Sequence, residues 1–364
     1  MRAVVLDQPG QPVHVEELAL ADPGPGEVRV RITASGVCHS DLHVRDAEWE
    51  RPGPIVLGHE GAGVVEALGP GVDQALLGRQ VALSWYYPCL RCRHCQSGRQ
   101  WLCSGSTSLD HRSQDGTTRL RRPDGQDVMS YLAIGTMAER TVVPVEAAIP
   151  IPDAVAPDVA ALIGCCVTTG VGAVLRTAAV EAGASIAVFG LGGVGLSVIM
   201  GAVIAGATRI VAIDRVPDKL ERARDLGATD TVLATEPEAT VRAVRVATDG
   251  GPDYSFEAIG LPSTIEQSIA CLPRGGTAVL VGLTRFGTRA SFEAFPFVDG
   301  SQRVLGSNYG FAVAATDFPL YAELHLAGRL PIERLVEARI GLDDVEDAFD
   351  RMRRGEGLRR IIVP

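Results

Sequence analysis

Half of the eight cysteines lie in one short segment, residues 89–103, with the sequence CLRCRHCQSGRQWLC. The spacing of Cys89, Cys92, Cys95 and Cys103 lets a loop bring four thiolates around one ion, the closed tetrahedral shell of a structural zinc. The opening CxxCxxC also resembles the iron–sulfur sequence of bacterial ferredoxins, in which the fourth cysteine follows after three residues and precedes proline. Here seven residues intervene and Ser104 follows. Structural zinc is therefore the favoured interpretation, and an iron–sulfur cluster is the alternative.

Three other soft ligands lie close to glycines elsewhere: Cys38 in GVCHSDLH, His59 in LGHEGAG and Cys165 in LIGCCVTTG. A closed shell of four thiolates leaves no position for substrate, whereas a catalytic zinc has three protein ligands and one open position. Taken singly, each residue has an ordinary explanation. His59 would be a hydrogen-bonded core histidine, and Cys165 or Cys166 a small buried apolar side chain, as we expect for Cys271.

A glycine pattern between an apolar strand and a helix forms a dinucleotide fingerprint, GxGxxG, at Gly190-Leu191-Gly192-Gly193-Val194-Gly195. The glycines allow a tight turn, close approach of a pyrophosphate and packing of helix on strand. The N terminus of the helix then directs free N–H groups at the phosphates. Asp214 ends the next strand, where a carboxylate binds the ribose hydroxyls of NAD and repels the 2′-phosphate of NADP. NAD is expected in preference to NADP, and the adjacent Arg215 weakens that preference.

The secondary structure that must position these residues differs between the first 150 residues and the rest of the chain. The first 150 residues alternate β-branched runs with Gly/Pro turns, which predicts a β-rich domain. From about residue 160, strands such as SIAVFG and RIVAID alternate with helical segments, which predicts a doubly wound parallel sheet. Near the end, Val345, Ala348, Phe349 and Met352 share one face of a helix that Gly355 would stop. The fold class is α/β, and 364 residues suggest two domains.

The composition disfavours several classes of function. A formal charge of −10 offers no positive surface for nucleic acid or an acidic membrane. Neither a charged leader with an apolar segment nor an uninterrupted apolar run of about 18 residues is evident, so neither export nor a membrane span is expected. A cytoplasmic location would keep thiols reduced, and clustered cysteines would then bind metal or take part in catalysis.

Together these motifs resemble the zinc-dependent medium-chain alcohol dehydrogenases of the longer, liver-type form, for which a catalytic zinc bound by two cysteines and one histidine is the known example. GVCHSDLH, GHEGAGVV, CxxCxxCx7C, LIGCCVTTGVGA, GLGGVG and GLRRIIV occur in the family's order over essentially the whole chain. The resemblance implies a GroES-like β-rich catalytic domain from residues 1–166 and 309–364. A Rossmann NAD-binding domain, residues 167–308, would be inserted between them.

The resemblance places a catalytic zinc on Cys38, His59 and Cys165 and a structural zinc on the four cysteines of residues 89–103. Glu60 would lie just behind the catalytic metal, and Asp41 would orient His59 through its other ring nitrogen.

Ser40 and His43 match the proton relay of the family. In the implied mechanism, zinc lowers the pKa of an alcohol until a zinc-bound alkoxide forms near neutral pH. The proton leaves through Ser40, a cofactor ribose hydroxyl and His43, while the carbinol carbon gives a hydride to NAD. The expected reaction interconverts a primary or secondary alcohol with an aldehyde or ketone.

Further residues carried over from the family would contact the cofactor or the substrate. Those at the pyrophosphate and the adenosine ribose are His39, Arg359 and Lys219. Those around the nicotinamide are Thr169, Val194, Val281 and Leu283. Trp85 and Leu132 would line the substrate cleft, with packing beside the four-cysteine loop as the alternative for Trp85.

Two positions depart from relatives. His39 stands where many liver-type members have arginine, which makes that phosphate contact titratable. Thr107 stands where glutathione-linked formaldehyde dehydrogenases have arginine, which argues against a thiol-adduct substrate, glutathione- or mycothiol-linked. The segment QDGTTRL matches a loop that accompanies dimers, so a homodimer is expected.

Two functions of other classes remain open from the sequence. One is an iron–sulfur or redox-sensing protein that binds a nucleotide. The other is a noncatalytic zinc-ribbon binding module, which fits poorly with the acidic charge and the complete dinucleotide fingerprint.

Overall fold

The computed structural model describes residues 1–49 and 51–364. Tertiary contacts divide the chain into two compact units: unit 1 contains Met1–Cys165, Val313–Gly328 and Ile332–Pro364, and unit 2 contains Cys166–Ala312 and Arg329–Pro331. The domain limits expected from the sequence, 1–166 with 309–364 and 167–308, stay a prediction.

The first part of unit 1 consists mainly of short strands. They are β1 (Arg2–Leu6), β2 (His14–Glu17), β3 (Ala19–Leu20), β4 (Glu27–Gly36), β5 (Ile55–Val56), β6 (Glu60–Leu68), β7 (Gln80–Leu83), β8 (Leu120–Arg121), β9 (Asp127–Ser130), β10 (Arg140–Pro144) and β11 (Ala148–Pro150). The helices in this part are α1 (His39–Arg45), α2 (Arg93–Gln96) and α3 (Pro157–Leu162).

Strand β4 organises the larger sheet of unit 1. It pairs antiparallel with β6 along most of its length and with β10 over its first half. Val28, Val30 and Ile32 alternate along β4 and pack with Val65 and Leu83 in one apolar cluster. This period of two is expected for a strand with one buried face, and it confirms the β-rich character expected from the sequence.

Unit 2 is a doubly wound parallel sheet, as predicted. Its strands are β12 (Ser185–Phe189), β13 (Arg209–Asp214), β14 (Asp230–Leu233), β15 (Tyr254–Glu257), β16 (Thr277–Leu280) and β17 (Arg303–Gly306), and its helices are α4 (Thr168–Gly172), α5 (Gly193–Ala205), α6 (Pro217–Asp225), α7 (Pro237–Ala247), α8 (Pro262–Ala270) and α9 (Ala294–Asp299). The strand order is β14-β13-β12-β15-β16-β17. The order reverses between β12 and β15, where ligands bind at the carboxyl ends of such sheets.

The end of the chain completes unit 1 with α10 (Ala314–Leu326), β18 (Val336–Ile340), α11 (Val345–Arg353) and β19 (Arg359–Ile362). Strand β19 pairs with the end of β4, with Ile361 opposite Gly36. Helix α11 buries the predicted apolar face through Val345, Ala348 and Phe349. The last strand of the chain is therefore part of the larger sheet of unit 1.

One helical run, residues 157–177, is long and apolar enough to cross a membrane by length and composition. It contains α3, α4 and two π-helical turns at 163–167 and 173–177. The run contains Asp158, Arg176 and three glycines, so it is not the uninterrupted apolar run, free of charges and turn formers, whose absence was expected. Of its most apolar window, 89% is buried within the protein, as in a core helix.

A strained turn in unit 1 is held by a buried histidine. Leu132 and Ala133 both have positive φ, 52° and 59°, which costs an L-residue roughly 1–2 kcal/mol. The Leu132 N–H donates to Nδ1 of His111 over 3.0 Å, and the His111 ring stacks on Tyr131 with centroids 5.5 Å apart. Burial, with a smaller effect of Arg51, lowers the pKa of His111 to about 4.

This pKa predicts a loss of stability in mild acid. Because the folded pKa of His111 lies below the unfolded value of about 6.5, the neutral ring stabilises the fold above pH 6.5, and this contribution is lost as pH falls from 6.5 towards 4. Protonated Nδ1 also cannot accept the Leu132 N–H. We expect the free energy of unfolding of the native protein to fall by on the order of 2–3 kcal/mol more than that of His111→Gln between pH 7.5 and 4.5.

Urea unfolding at both pH values measures this difference. His14→Gln, at an exposed histidine, is the control and should keep the native pH dependence. An equal pH dependence in His111→Gln and the native protein would contradict the prediction.

Candidate active site

The four cysteines of residues 89–103 converge in unit 1. Their sulfur atoms all lie within 4.8 Å of one another. Cys92 Sγ lies 3.6 Å from Cys95 Sγ and 3.9 Å from Cys103 Sγ. The backbone N–H groups of Cys89 and Gly105 point at Cys103 Sγ.

This geometry fits one tetrahedral ion. With metal–sulfur bonds of about 2.3 Å, the edge of a tetrahedron is about 3.8 Å, which matches the observed sulfur separations. An iron–sulfur cluster distributes its four thiolates over two or more iron atoms and needs a wider set. The sequence spacing and the geometry therefore agree on a zinc site.

A second convergent group combines Cys38, His59, Glu60 and Cys165, whose candidate ligand atoms lie within 4.8 Å of one another. Each residue is at most 8% exposed. Cys38 precedes α1 as its N-cap residue, His59 immediately precedes β6, and Glu60 is the first residue of β6. Cys165 lies in the π-helical turn at 163–167. Two thiols and an imidazole form a donor set suited to zinc.

Asp41 fixes the orientation of His59. Its Oδ1 lies 3.1 Å from His59 Nδ1 and accepts the Gly58 N–H over 3.0 Å. Its Oδ2 accepts the Cys38 N–H over 3.3 Å. A carboxylate accepts but does not donate, so Nδ1 carries the proton and Nε2 remains able to bind a metal. Asp41 thus connects the backbone of Cys38 to the ring of His59.

Glu60 is fully buried beside this set, and its charge and oxygen atoms have few balancing contacts. Arg359 Nη2 lies 3.1 Å from Glu60 Oε1, close enough for an ion pair, but the angles do not make a hydrogen bond. Both Glu60 oxygens are buried and lack a hydrogen-bond partner among the described residues. A Cβ at Gly36 would lie 2.2 Å from Glu60 Oε2, so only glycine fits there. These orphaned oxygens indicate a site for a cation.

The pKa values in this group are shifted by burial and by the neighbouring ionisable groups. A hydrogen bond from Cys165 holds the pKa of Cys38 well below its usual value, against the effect of burial. The same bond raises the pKa of Cys165 well above its usual value. Burial lowers the pKa of His59, but Asp41 and Cys38 raise it more. Burial raises the pKa of Glu60 to about 8. Metal binding would replace protons held by these residues.

The expected relay residues both lie on α1, one turn of helix apart. Ser40 is in the first turn, and His43 lies 24% exposed with its Nδ1 2.6 Å from Glu48 Oε2. Glu48 was not foreseen from the sequence.

The glycine turn of unit 2 has the form of a dinucleotide site. Gly190 has φ +91°, and a Cβ at Gly195 would lie 1.8 Å from the Gly190 carbonyl oxygen. A Cβ at Gly192, the N-cap of α5, would meet nothing within 4 Å. The first and third glycines therefore close the turn. The second, followed by Gly193 and Val194 in α5, leaves space at the helix N terminus for a phosphate.

Asp214 supports the same turn from the end of β13. Its Oδ2 accepts the Leu191 N–H over 2.8 Å and its Oδ1 accepts the Val216 N–H over 3.0 Å. Each carboxylate oxygen has a second lone pair for a hydroxyl donor. The residues present therefore fit the ribose of NAD.

The roles of the other expected contact residues stay predictions, and their positions are as follows. Arg359 is buried and donates to the Val37 carbonyl over 2.8 Å, besides pairing with Glu60. Trp85 packs against two apolar clusters of unit 1, and Leu132 occupies the strained turn. The rest are His39 in α1, Thr169 in α4, Lys219 in α6, and Val281 and Leu283 after β16.

Several contacts around the site were not predicted from the sequence. The Tyr131 and His59 rings meet edge to face, with centroids 5.6 Å apart, and the His111 ring stacks on the Tyr131 ring. The pairing of Glu60 with Arg359 joins residues almost three hundred positions apart. Only the register of β19 on β4 brings them together.

Comparison with known proteins agrees with this geometry. Residues 24–153 match the model of the alcohol dehydrogenase GroES-like domain, and residues 193–325 match that of the zinc-binding dehydrogenases. An S-(hydroxymethyl)glutathione dehydrogenase from Paracoccus denitrificans is 36% identical over 100% of this chain and 99% of its own.

Solved structures show the same fold over the whole length. An alcohol dehydrogenase zinc-binding domain protein from Burkholderia ambifaria superimposes with a TM-score of 0.94 at 38% identity, covering 100% of this chain and 98% of its own. Benzyl alcohol dehydrogenase from Acinetobacter calcoaceticus gives 0.92 at 30% identity with the same coverage.

The two metal-binding groups, the dinucleotide turn and these similarities agree on an oxidoreductase with zinc and NAD as cofactors. The chain belongs to the zinc-dependent medium-chain alcohol dehydrogenases.

Proposed function

We propose that the protein oxidises primary or secondary alcohols with NAD, or reduces the matching aldehydes and ketones, at the site formed by Cys38, His59 and Cys165. The observation that carries this proposal is the buried ligand set with His59 fixed by Asp41. A zinc ion held there would polarise a substrate oxygen and lower the pKa of its hydroxyl. NAD would accept the hydride from the carbinol carbon.

The protein groups supply proton transfer and orientation. We assign the first proton acceptor to Ser40 Oγ and the later one to His43 Nε2, from which the proton passes to water. An imidazole suits this task because one ring nitrogen can take up and release a proton while the other keeps its hydrogen bond. Asp41 holds the His59 ring, and Glu60 provides a carboxylate behind the ligand set. Burial of Asp41, His59 and Glu60 keeps bulk water away from this side of the ligand set.

The second candidate is a thiol-adduct formaldehyde dehydrogenase. The name of the Paracoccus relative favours it. Thr107 argues against it, because its neutral hydroxyl, 3.0 Å from the Tyr87 hydroxyl, offers no charge to a carboxylate of the thiol. We therefore place an apolar alcohol first.

A panel of substrates separates the two. Purified protein with zinc is given NAD or NADP and either aliphatic alcohols, benzyl alcohol or S-(hydroxymethyl)glutathione, and reduced cofactor is followed by absorbance. We expect kcat/KM for at least one alcohol to exceed that for the adduct, and NAD to exceed NADP by about tenfold or more because Asp214 repels a 2′-phosphate. Turnover with the adduct alone would establish the second candidate. No zinc-dependent turnover with any substrate would end both.

Variants of the two cysteine groups should separate catalysis from stability. Cys38→Ser or His59→Ala should lose one zinc per chain and roughly a thousandfold or more in kcat/KM, since metal polarisation contributes several kcal/mol. Cys166→Ser is the matched control, because Cys166 is the buried neighbour of Cys165 outside the ligand set. It should keep two zinc ions and near-native activity.

Cys92→Ser should lose the other zinc and lower the thermal midpoint first. Metal analysis and thermal denaturation of the same samples measure both effects. Full activity with one zinc after loss of Cys38 would contradict the assignment.

We also propose a cytoplasmic homodimer. All eight cysteines are free, as expected in a reducing compartment. Strand β17 is the outer strand of its sheet within the described residues. Phe286, Phe295 and Val298 nearby in sequence are 75–82% exposed. An unpaired strand edge and exposed aromatic side chains favour association with a second copy.

Charged substitutions should dissociate the dimer. Val304→Lys on β17 and Phe295→Glu should each shift the sedimenting species from twice the chain mass to one chain. Val246→Lys is the control, because Val246 is 79% exposed on α7 and should leave the mass unchanged. A native protein that sediments as a monomer would contradict the proposal.

A further inference from the structure

The chain after α1 folds back onto His43. The N–H groups of Glu48 and Trp49 both donate to the His43 carbonyl, over 2.9 and 3.2 Å. Ala47 turns the chain with φ +59°, a left-handed conformation that an L-residue adopts only where surrounding contacts enforce it. The turn therefore brings the side chains of Glu48 and Trp49 back to the imidazole ring of His43, which the proposed relay uses.

Both side chains contact the His43 imidazole. Glu48 Oε2 lies 2.6 Å from Nδ1, a short distance for a hydrogen bond of this kind. The Trp49 ring lies 4.7 Å from the His43 ring, centroid to centroid, at 33°, and Trp49 is 7% exposed. The indole restricts rotation of the imidazole, and the carboxylate selects which nitrogen faces it.

The chemistry of this contact fixes the tautomer. A carboxylate accepts hydrogen bonds and cannot donate them, so Nδ1 must carry the hydrogen. In the neutral ring Nε2 then has the lone pair, and no described side chain bonds to it. At 24% exposure of the His43 side chain, Nε2 can take a proton and return it to water.

We propose that Glu48 is a positioning residue that holds His43 in the Nδ1–H tautomer, so that Nε2 is the proton acceptor of the relay. This inference rests on the proposed function. When Nε2 takes a proton, the ring becomes an imidazolium whose Nδ1–H still bonds to the carboxylate. Loss of the Nε2 proton to water restores the neutral ring. Glu48 neither gains nor loses a proton in this cycle.

Two substitutions separate the hydrogen bond from the charge. Glu48→Ala removes the acceptor, and we expect the ¹⁵N NMR shifts of His43 to move from the Nδ1–H tautomer towards a mixture with Nε2–H. The single-turnover rate of reduced-cofactor formation should fall about tenfold, with KM for the alcohol within about twofold of native. Glu48→Gln keeps an acceptor oxygen, so it should retain the tautomer and lose less of the rate.

Asp46→Asn is the matched control. Asp46 lies in the same turn, but its carboxylate pairs with Arg353. Its replacement should leave the His43 tautomer unchanged and the rate within about twofold of native. In a His43→Ala background, Glu48→Ala should cause no further slowing, because Glu48 acts through the ring.

The outcomes distinguish the inference from the function on which it rests. An unchanged tautomer in Glu48→Ala, or an equal slowing by Glu48→Ala with and without His43, overturns the positioning role while leaving the relay in place. A native single-turnover rate in His43→Ala would remove the relay from the proposed function, and the positioning role with it.

Discussion

Burial of four ionisable groups within 4.8 Å of one another is the constraint on which the rest of unit 1 depends. Two thiols, an imidazole and a carboxylate are all nearly inaccessible to water, and ions in such surroundings are costly unless paired. One guanidinium, from Arg359, reaches the group. It cannot balance two thiolates and a carboxylate. A divalent cation restores the balance and uses the same lone pairs, so the site is stable and reactive for the same reason.

That constraint explains elements that otherwise look unrelated. Strand β19 has to pair with β4 for Arg359 to reach Glu60, and Gly36 on β4 has to lack a side chain for Glu60 to fit. Asp41, one turn into α1, ties the Cys38 amide to the His59 ring. Segments that are distant in the sequence thus meet at this one site. A change in any one of them would alter the charge balance of the others.

Much of this arrangement could be predicted from the sequence, and the limits are physical. The cysteine spacing, the glycine fingerprint with Asp214 and the amphipathic helix at 345–353 are local patterns, because turns, helices and ligand loops impose fixed intervals between residues. The pairing of Glu60 with Arg359 depends on strand register between opposite ends of the chain, which no local interval records. His111 and Glu48 were missed for another reason. Each acts through a turn in which a residue other than glycine has positive φ, Leu132 in one case and Ala47 in the other, and neither leucine nor alanine signals such a turn.

The same reasoning explains how adjacent cysteines acquire different roles. The sequence pattern predicts that Cys165 and Cys166 are both buried, and hydrophobic periodicity alone assigns both to the core. The π-helical turn at 163–167 changes the residue spacing within an otherwise α-helical run, and such turns recur at functional sites because they redirect a side chain without ending the helix. Cys165 belongs to the ligand set, whereas Cys166 is fully buried outside it. A hydrogen-bond register, rather than residue type, therefore determines which thiol can bind the metal.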